Sequence, residues 1–547
     1  MKVAISKKSY RNVRWKGSKL KNGIRDLLLR FPIKGPDARD APPRLQPSRK
    51  RNNHDAGNNP RPLTYSIHDD DVGWCRTQTL GGGGKWGAAH SGQESPIGGF
   101  VQPVADGSFG KRRVLARLPP HSSHHDPVSI LHSASSDFID MGMCQLNLGV
   151  KLVKADGGDI PSTWLSVGVV NNVGHSLIKR FDVKLNDTSV GEPTDLYHYK
   201  AYDSNLRNFT PDQKDNYLQI EGWYTDESTD AKMNNFTTGT AADTPMLPTH
   251  ANYNKGFDER TRLFYSNYTL NGDGNGGADT TAGRVVHFII QPAVDVFQSG
   301  RYLVPGVSIV IQIDFNDPQF VLMATADSTA RFKITSAEFR VRHVKIQPAV
   351  HLEIEDKQYK QQQTVVYPIR TSKPIRRTME IGKSVFSFTD LFQQSVPDQL
   401  TIGFVKSTAF NGAYNENPYN FKLYGLKDIR MVINGSERPI NRIEFKSHDG
   451  VEGYEMMFSS TGNMHRGFSN GIKRKDYANG NALLCLNFTP DGKDAKNYTY
   501  KKNEGTLDLF LNFKDPLTEN LTVLFLPEFE NEVLIDPNKV VLMSKNY

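Results

Sequence analysis

The sequence predicts an all-β chain of two antiparallel sandwiches in tandem, preceded by a basic arm. Three observations carry this reading. From about Phe138 onward, apolar and polar residues alternate along short runs, the period of a strand with one face on a core. Turn dipeptides (Asn271–Gly272, Asn411–Gly412, Asn434–Gly435, Asp491–Gly492) punctuate those runs, while helix signals stay few. The strand-rich body covers about 410 residues, roughly twice the span of one large sandwich.

Residues 1–135 do not alternate. Basic runs give way to Pro-, Gly- and Ser-rich stretches, so the segment is expected to be a disordered arm or a gene-model fusion, and only Asn22–Phe31 suits a short helix. The first sandwich is expected over 136–349. CQLNLGVKLVKADG places Leu146, Leu148, Val150 and Leu152 on one face, and FDVKLNDT does the same with Phe181, Val183 and Leu185. VSIVIQIDF keeps Val307, Ile309, Ile311, Ile313 and Phe315 in one register. FRVRHVKI slips phase between Val341 and Val344, which predicts a bulge or a change of strand partner. The second sandwich is expected over 350–547, with LDLFLNF (Leu507, Leu509, Leu511, Phe513) its clearest strand and LTVLFLPEF and NEVLIDPNKVVLM its end. Two helices are predicted. Thr194 caps TDLYHYKAYDSNLRNF, whose Leu196, Tyr199, Tyr202, Leu206 and Phe209 share a face, and FTDLFQQ (Phe388–Gln394) is expected to add a turn or two.

The net charge of +8 is unevenly placed. Residues 1–55 hold 16 Lys and Arg against 4 Asp, a local +12, which leaves −4 for the body. Lys7, Lys8, Arg11, Arg14, Lys16, Lys19 and Lys21, with Tyr10, Trp15 and Phe31 interleaved, are therefore candidates for nucleic-acid contact by counterion release. A solubilising tail or an import signal is the duller reading of the same charges. Three widely spaced cysteines, Cys75, Cys144 and Cys485, suit neither a disulfide framework nor a CxxC metal site. No run approaches a membrane span, and the start lacks the continuous apolar stretch of a secretory signal. The eight N-x-[ST] sequons, at Asn186, Asn208, Asn235, Asn267, Asn434, Asn487, Asn497 and Asn520, are therefore read as loop composition.

Catalytic chemistry finds little support. His121, His124, His125 and Asp126, with His132 nearby, sit in a Pro/Ser-rich linker, not on rigid elements, which argues against a metal site. Asn271, Asp273, Asn275 and Gly276 begin like a calcium loop, but Ala282 stands where a bidentate Glu is needed. Gly81–Gly84 precede Lys85 without the Lys-Ser/Thr ending of a phosphate loop. There is no GxSxG or HExxH, and His287 and His343 lie within strand patterns. No catalytic residue, cofactor or metal site is assigned, and the chain is expected not to be an enzyme.

One stretch is more specific. NGAYNENPYNFKLYGLKDIRMVINGSERP, Asn411–Pro439, resembles a segment of the major capsid (hexon-like) proteins of adintoviruses and Maverick/Polinton-type DNA elements. That family shows an N-G-x-Y-x-x-N-P-[FY]-N-F-K core, then a strand, a V-N/D-G turn and Pro. The pattern falls here on Asn411, Gly412, Tyr414, Asn417, Pro418, Tyr419, Asn420, Phe421, Lys422, Asn434, Gly435 and Pro439. SDFIDMGMCQLNLGVKLVKADG, VGVVNNVGHSLIKRFDVKLNDTSV, YLVPGVSIVIQIDFNDPQFVLM, FKITSAEFRVRHVKIQPAV and TVVYPIRTSKPIRRTMEIG agree in order, so the resemblance spans about 136–547. The basic and Gly-rich N-terminus has no counterpart in it.

The resemblance implies a double jelly roll of two eight-stranded sandwiches. It further implies a homotrimeric, pseudo-hexameric capsomer that builds the icosahedral shell of a double-stranded DNA virus or integrated virus-like element. Its partners would be other capsomers, penton and minor capsid proteins, and genomic DNA through the arm. Its place would be the virion, with assembly in the host nucleus. The alternatives are a jelly-roll module binding carbohydrate or protein, such as a domesticated viral relic, and, third, an enzyme on a cupin-like barrel. The aromatic residues of the signature have two readings: they fill a core, or they meet a neighbouring subunit.

Overall fold

A computed structural model describes residues 105–115 and 127–544, apart from 161–166, 192, 228–252, 265–283, 394, 440–441, 448, 467–468 and 490–503. The basic arm with Lys7 to Lys21, the Gly81–Gly84 run, the 121–126 His/Asp cluster, Cys75 and the Asn271–Ala282 loop lie outside the described residues.

Of the twenty-two strands among the described residues, sixteen form the common frame of two sandwiches. The first comprises β1 (Ala105–Leu115), β2 (Val128–His132), β3 (Gln145–Val153), β4 (Ile178–Leu185), β5 (Thr188–Ser189), β6 (Val286–Ile290), β7 (Ile309–Phe315) and β8 (Arg331–Ile346). The second comprises β9 (Ile375–Met379), β10 (Val385–Phe388), β11 (Gln399–Lys406), β12 (Leu426–Ile433), β13 (Ser436–Glu437), β14 (Leu483–Asn487), β15 (Leu507–Phe513) and β16 (Leu521–Ile535). In the first, one sheet runs β1-β8-β3-β6 and the other β2-β7-β4-β5. In the second, the sheets run β9-β16-β11-β14, with Val365–Thr371 and Val541–Ser544 also paired to β16, and β10-β15-β12-β13. The wiring is therefore the same, offset by eight strands, and the pairings are antiparallel throughout.

The alternating runs become strands because one face of each finds a core. Ile309, Ile311 and Ile313 of β7 and Leu507, Leu509 and Leu511 of β15 are buried, while the residues between them face outward. The slip in FRVRHVKI is a change of partner. Arg331–Arg340 of β8 pairs with β3, whereas His343 and Val344 pair with Ile139 and Phe138. The true bulge lies earlier, between Ile334 and Ser336.

The structure departs from the sequence reading at two places. The first sandwich begins before residue 136, since β1 and β2 are its opening strands. ADGSFGKRRVL carries no alternating apolar face in sequence, and β2 buries only Val128, Ile130 and His132. FTDLFQQ forms no helix: Phe388 ends β10, and Asp390 and Gln393 take left-handed backbone angles that interrupt helical geometry. The predicted helix after Thr194 does form, as α1 (Tyr197–Asn208). It is buried on most sides, not amphipathic at a surface.

Candidate functional site: the seam between the sandwiches

Both sandwiches belong to one compact unit, Ser91–Tyr547, and the signature stretch lies where they meet. Short helix α2 (Ser407–Asn411) follows β11, and Gly412 ends it with φ +99°. The Asn411–Gly412 pair is thus a helix end, not a hairpin turn. A Cβ on Gly412 would come within 3.2 Å of Phe320 N in the first sandwich, so the left-handed angle and the close approach both require glycine. Beyond it the chain crosses into the neighbouring sandwich's contacts. The Tyr414 hydroxyl donates to the Ala330 carbonyl at 2.8 Å, and its own carbonyl accepts from Ala324 N–H at 2.7 Å.

Tyr419 is the centre of the seam. Its ring stacks on Tyr202 of α1, with centroids 4.0 Å apart and planes within 3°, and Tyr199 meets it edge-on at 5.6 Å. Its hydroxyl shares a 2.7 Å hydrogen bond with Ser176 of the first sandwich. Tyr199 O–H donates to the Pro418 carbonyl at 3.3 Å. Asn417, buried, closes the turn beneath: its Oδ1 accepts from Tyr419 N–H at 2.9 Å. Phe421 lies against Tyr199 and Tyr202 and bridges to Gly480, instead of alternating within a strand. Asn420 and Pro418 are buried beside them. Burial pushes the Tyr199, Tyr202 and Tyr419 phenols upward, so all three stay neutral. Asn434 and Gly435 lie apart from this cluster. At φ 51° and 75° they turn β12 into β13, as an Asn-Gly hairpin requires, and Asn434 also holds Glu504 and Thr506. Pro439 follows that hairpin through a cis bond. The structure thus gathers Gly412, Tyr414, Asn417, Pro418, Tyr419, Asn420 and Phe421 at one seam and leaves Asn434, Gly435 and Pro439 on a separate turn.

Beside the aromatic cluster the seam is ionic, a feature with no sequence motif to announce it. Arg207 of α1, nearly fully buried, forks onto Asp203 at 2.7 and 2.5 Å and reaches across to Glu528 of β16 at 3.2 Å. Arg370 adds a second cation to Glu528 at 3.3 Å. Burial works to raise the Glu528 carboxyl, but Arg207 and Arg370 together hold it below its usual range. Burial raises Asp203 and Asp295 against their partners Arg207 and Lys200. These groups line a cleft of about 630 Å³ between the sandwiches. Its cations are already engaged by its own carboxylates, so it offers structural cross-links, not a poised acid, base or nucleophile.

Two further ties cross the seam. Lys214 is buried with its Nζ on the Leu206 carbonyl at 2.6 Å and on the Asn470 carbonyl, from the second sandwich, at 2.7 Å, 5.6 Å from the Trp223 ring. Burial lowers it to about 7, against a smaller raising effect of Asp215. At the C-terminal end, Asn186 and Thr188 of the first sandwich donate to the Lys539 and Val541 carbonyls at 2.9 and 3.0 Å. Val541–Ser544 is itself paired to β16, so it binds both halves. Among the described residues no group of three or more His, Cys, Asp and Glu is placed to hold a metal, and no helix is long and apolar enough to cross a membrane. Cys144 and Cys485 are buried free thiols, pushed by burial up to about 12 and about 11. His287 is exposed on β6.

No protein-family model matches the chain. An uncharacterized protein of Caenorhabditis elegans, F54H12.2, is 24% identical over 305 residues, covering 55% of this chain and 63% of that protein. The match therefore spans less than two thirds of that relative's length. Among solved structures, a chain of the Sputnik virophage superposes with a TM-score of 0.52 at 9% identity, over 89% of this chain and 94% of that one. The mavirus major capsid protein and the VP54 protein of PBCV-1 align at TM-scores of 0.46 and 0.49, with 10% and 9% identity, over 89% and 80% of this chain and 96% and 97% of theirs. With the eight-strand wiring found twice and the Sputnik chain overlaid nearly end to end, the architecture is decided. The fold is a double jelly roll. In each jelly roll the first and last strands are neighbours in one sheet, and the second and seventh strands are neighbours in the other, the pattern of two interleaved Greek keys.

Proposed function

We propose that the chain is a major capsid subunit that trimerises into pseudo-hexameric capsomers and assembles the icosahedral shell of a double-stranded DNA virus or an integrated virus-like element. The observation that supports this most is the repeated wiring locked by a wide seam. Two like sandwiches held in one fixed relation make a rigid block, and three such blocks about an axis present six similar sandwiches to their neighbours. Contacts within the trimer are then large and permanent, and those between trimers smaller and repeated. The resemblance of the signature stretch points to the adintovirus or Maverick/Polinton group in particular, with assembly in the host nucleus, placement in the virion, and penton and minor capsid proteins as further partners. The chemistry is assembly; no catalytic step is assigned.

Sedimentation of purified full-length protein tests this: a species of three times the monomer mass, giving way to larger closed or sheet-like assemblies, is expected. A monomer at every concentration, carrying instead a stoichiometric glycan or protein ligand, would support the binding-module reading. In the same framework the arm is assigned to genomic DNA, through Lys7, Lys8, Arg11, Arg14, Lys16, Lys19 and Lys21. Deleting residues 1–60 is expected to leave the trimer intact and remove most salt-sensitive DNA binding, measured by filter retention across a salt series. Unchanged DNA binding would refute the assignment.

A further inference from the structure

Two of the buried histidines of the first sandwich, His132 and His343, sit together though remote in sequence. His132 ends β2, which among the described residues is an edge strand paired with β7, and His343 lies on β8 in the opposite sheet. Their Nε2 atoms are 3.1 Å apart, and the residues are 3% and 7% exposed. The contact therefore joins the two sheets through the interior. A gap of this size between two ring nitrogens holds one proton, donated by one imidazole and accepted by the other. A second proton would aim two N–H groups at each other and put two like charges in contact inside the sandwich.

Outside the pair, His343 Nδ1 faces Asp137 Oδ2 and Ser135 Oγ, each at 3.4 Å. The Arg342 guanidinium, next along β8, is 3.8 Å from Asp140. On the flanking strands, Gly110 pairs with His343 and Ile309 with His132, so neither adds a titratable group at the paired position. Among the described residues Asp137 is thus the carboxylate facing the pair.

We propose that His132 and His343 form a proton-sensitive tie between edge strand β2 and the opposite sheet. The tie holds with at most one charge and breaks when both imidazoles are protonated, so mild acid frees β2. The sign follows from proton counts. In the unfolded or locally opened chain both histidines protonate near their ordinary value of about 6.5. The closed tie takes up one proton fewer, so opening becomes about tenfold easier for each pH unit below that value. The tie is independent of the capsid reading and would act in any role of the double jelly roll.

Hydrogen exchange on the full-length chain tests it, with protection of Val128–His132 corrected for intrinsic rates and read against β7 at pH 7.5 and 5.5. The wild type is expected to lose about tenfold protection in β2 at pH 5.5. His132→Gln, which keeps a hydrogen-bonding group opposite His343 without a second charge, is expected to hold nearly equal protection at both values. His343→Gln serves the same purpose should the first variant fold poorly. Protection in wild-type β2 that is unchanged by acid, or that falls equally in the glutamine variants, would overturn the proposal.

Discussion

Tyr419 shows what a single side chain contributes to this molecule. It is fully buried, stacked on Tyr202 and bonded to Ser176, so it belongs to both sandwiches at once. Tyr419→Ala leaves an aromatic-sized hole at the seam and is expected to destabilise the protein by about 3–5 kcal/mol. Tyr419→Phe removes only the hydroxyl and is expected to lose about 1 kcal/mol. Urea denaturation of the pair checks both, and a Tyr419→Ala variant as stable as wild type would contradict the seam assignment. At this scale the sequence was legible in part. The signature's aromatics and Asn417 stand out in the chain, but their partners Tyr202, Ser176 and Ala330 lie far away in it. The Arg207–Glu528 bridge was not legible, because an ion pair spanning 321 residues leaves no local pattern.

At the scale of elements, α1 and the strands it touches decide how the sandwiches are joined. The apolar face of α1 is legible in the sequence, yet the helix is buried nearly all round: Tyr199 and Tyr202 meet Tyr419 and Phe421 of the second sandwich, while Tyr197, His198 and Asn205 meet Phe181, Asn316 and Asn172 of the first. Lys214, just beyond it, gives the seam a measurable pH dependence. Its folded value is lowered to about 7, whereas the unfolded side chain keeps its proton to about 10.4. Across that window the unfolded state binds more protons, so stability rises with pH from about 7 to about 10.4 and is least below 7, where the buried cation costs most. Lys214→Met is expected to abolish this rise, which is on the order of 3 kcal/mol in the wild type, when urea midpoints at pH 7 and 10 are compared. A parallel pH profile in both proteins would contradict it. Strands with a clean period-2 face, such as β7 and β15, were readable because burial on one side imposes that pattern. β1, β2 and the FTDLFQQ turn were not, since an edge strand needs little apolar alternation and a turn set by Asp390 and Gln393 has no helical or strand period.

At the scale of the whole molecule, the repeated wiring and the seam argue for one mechanical unit. Aromatic stacking, the Arg207–Glu528 bridge, the Lys214 contact and the C-terminal strand all cross between the jelly rolls. Heat or urea is therefore expected to unfold residues 105–544 in one cooperative transition, observed together by near-ultraviolet dichroism and tryptophan emission. Two separated transitions would show the sandwiches to be independent domains. The double jelly roll itself was foreseeable from about 410 residues of alternating strands and from the ordered resemblance. The exact starting strand was not. Electron cryomicroscopy of the purified full-length protein under assembling conditions tests the proposed role of this double block as a shell subunit most directly. Particles tiled by capsomers of pseudo-sixfold outline, each fitted by three copies of the double jelly roll, are expected. Isolated single copies at all protein and salt concentrations would contradict it.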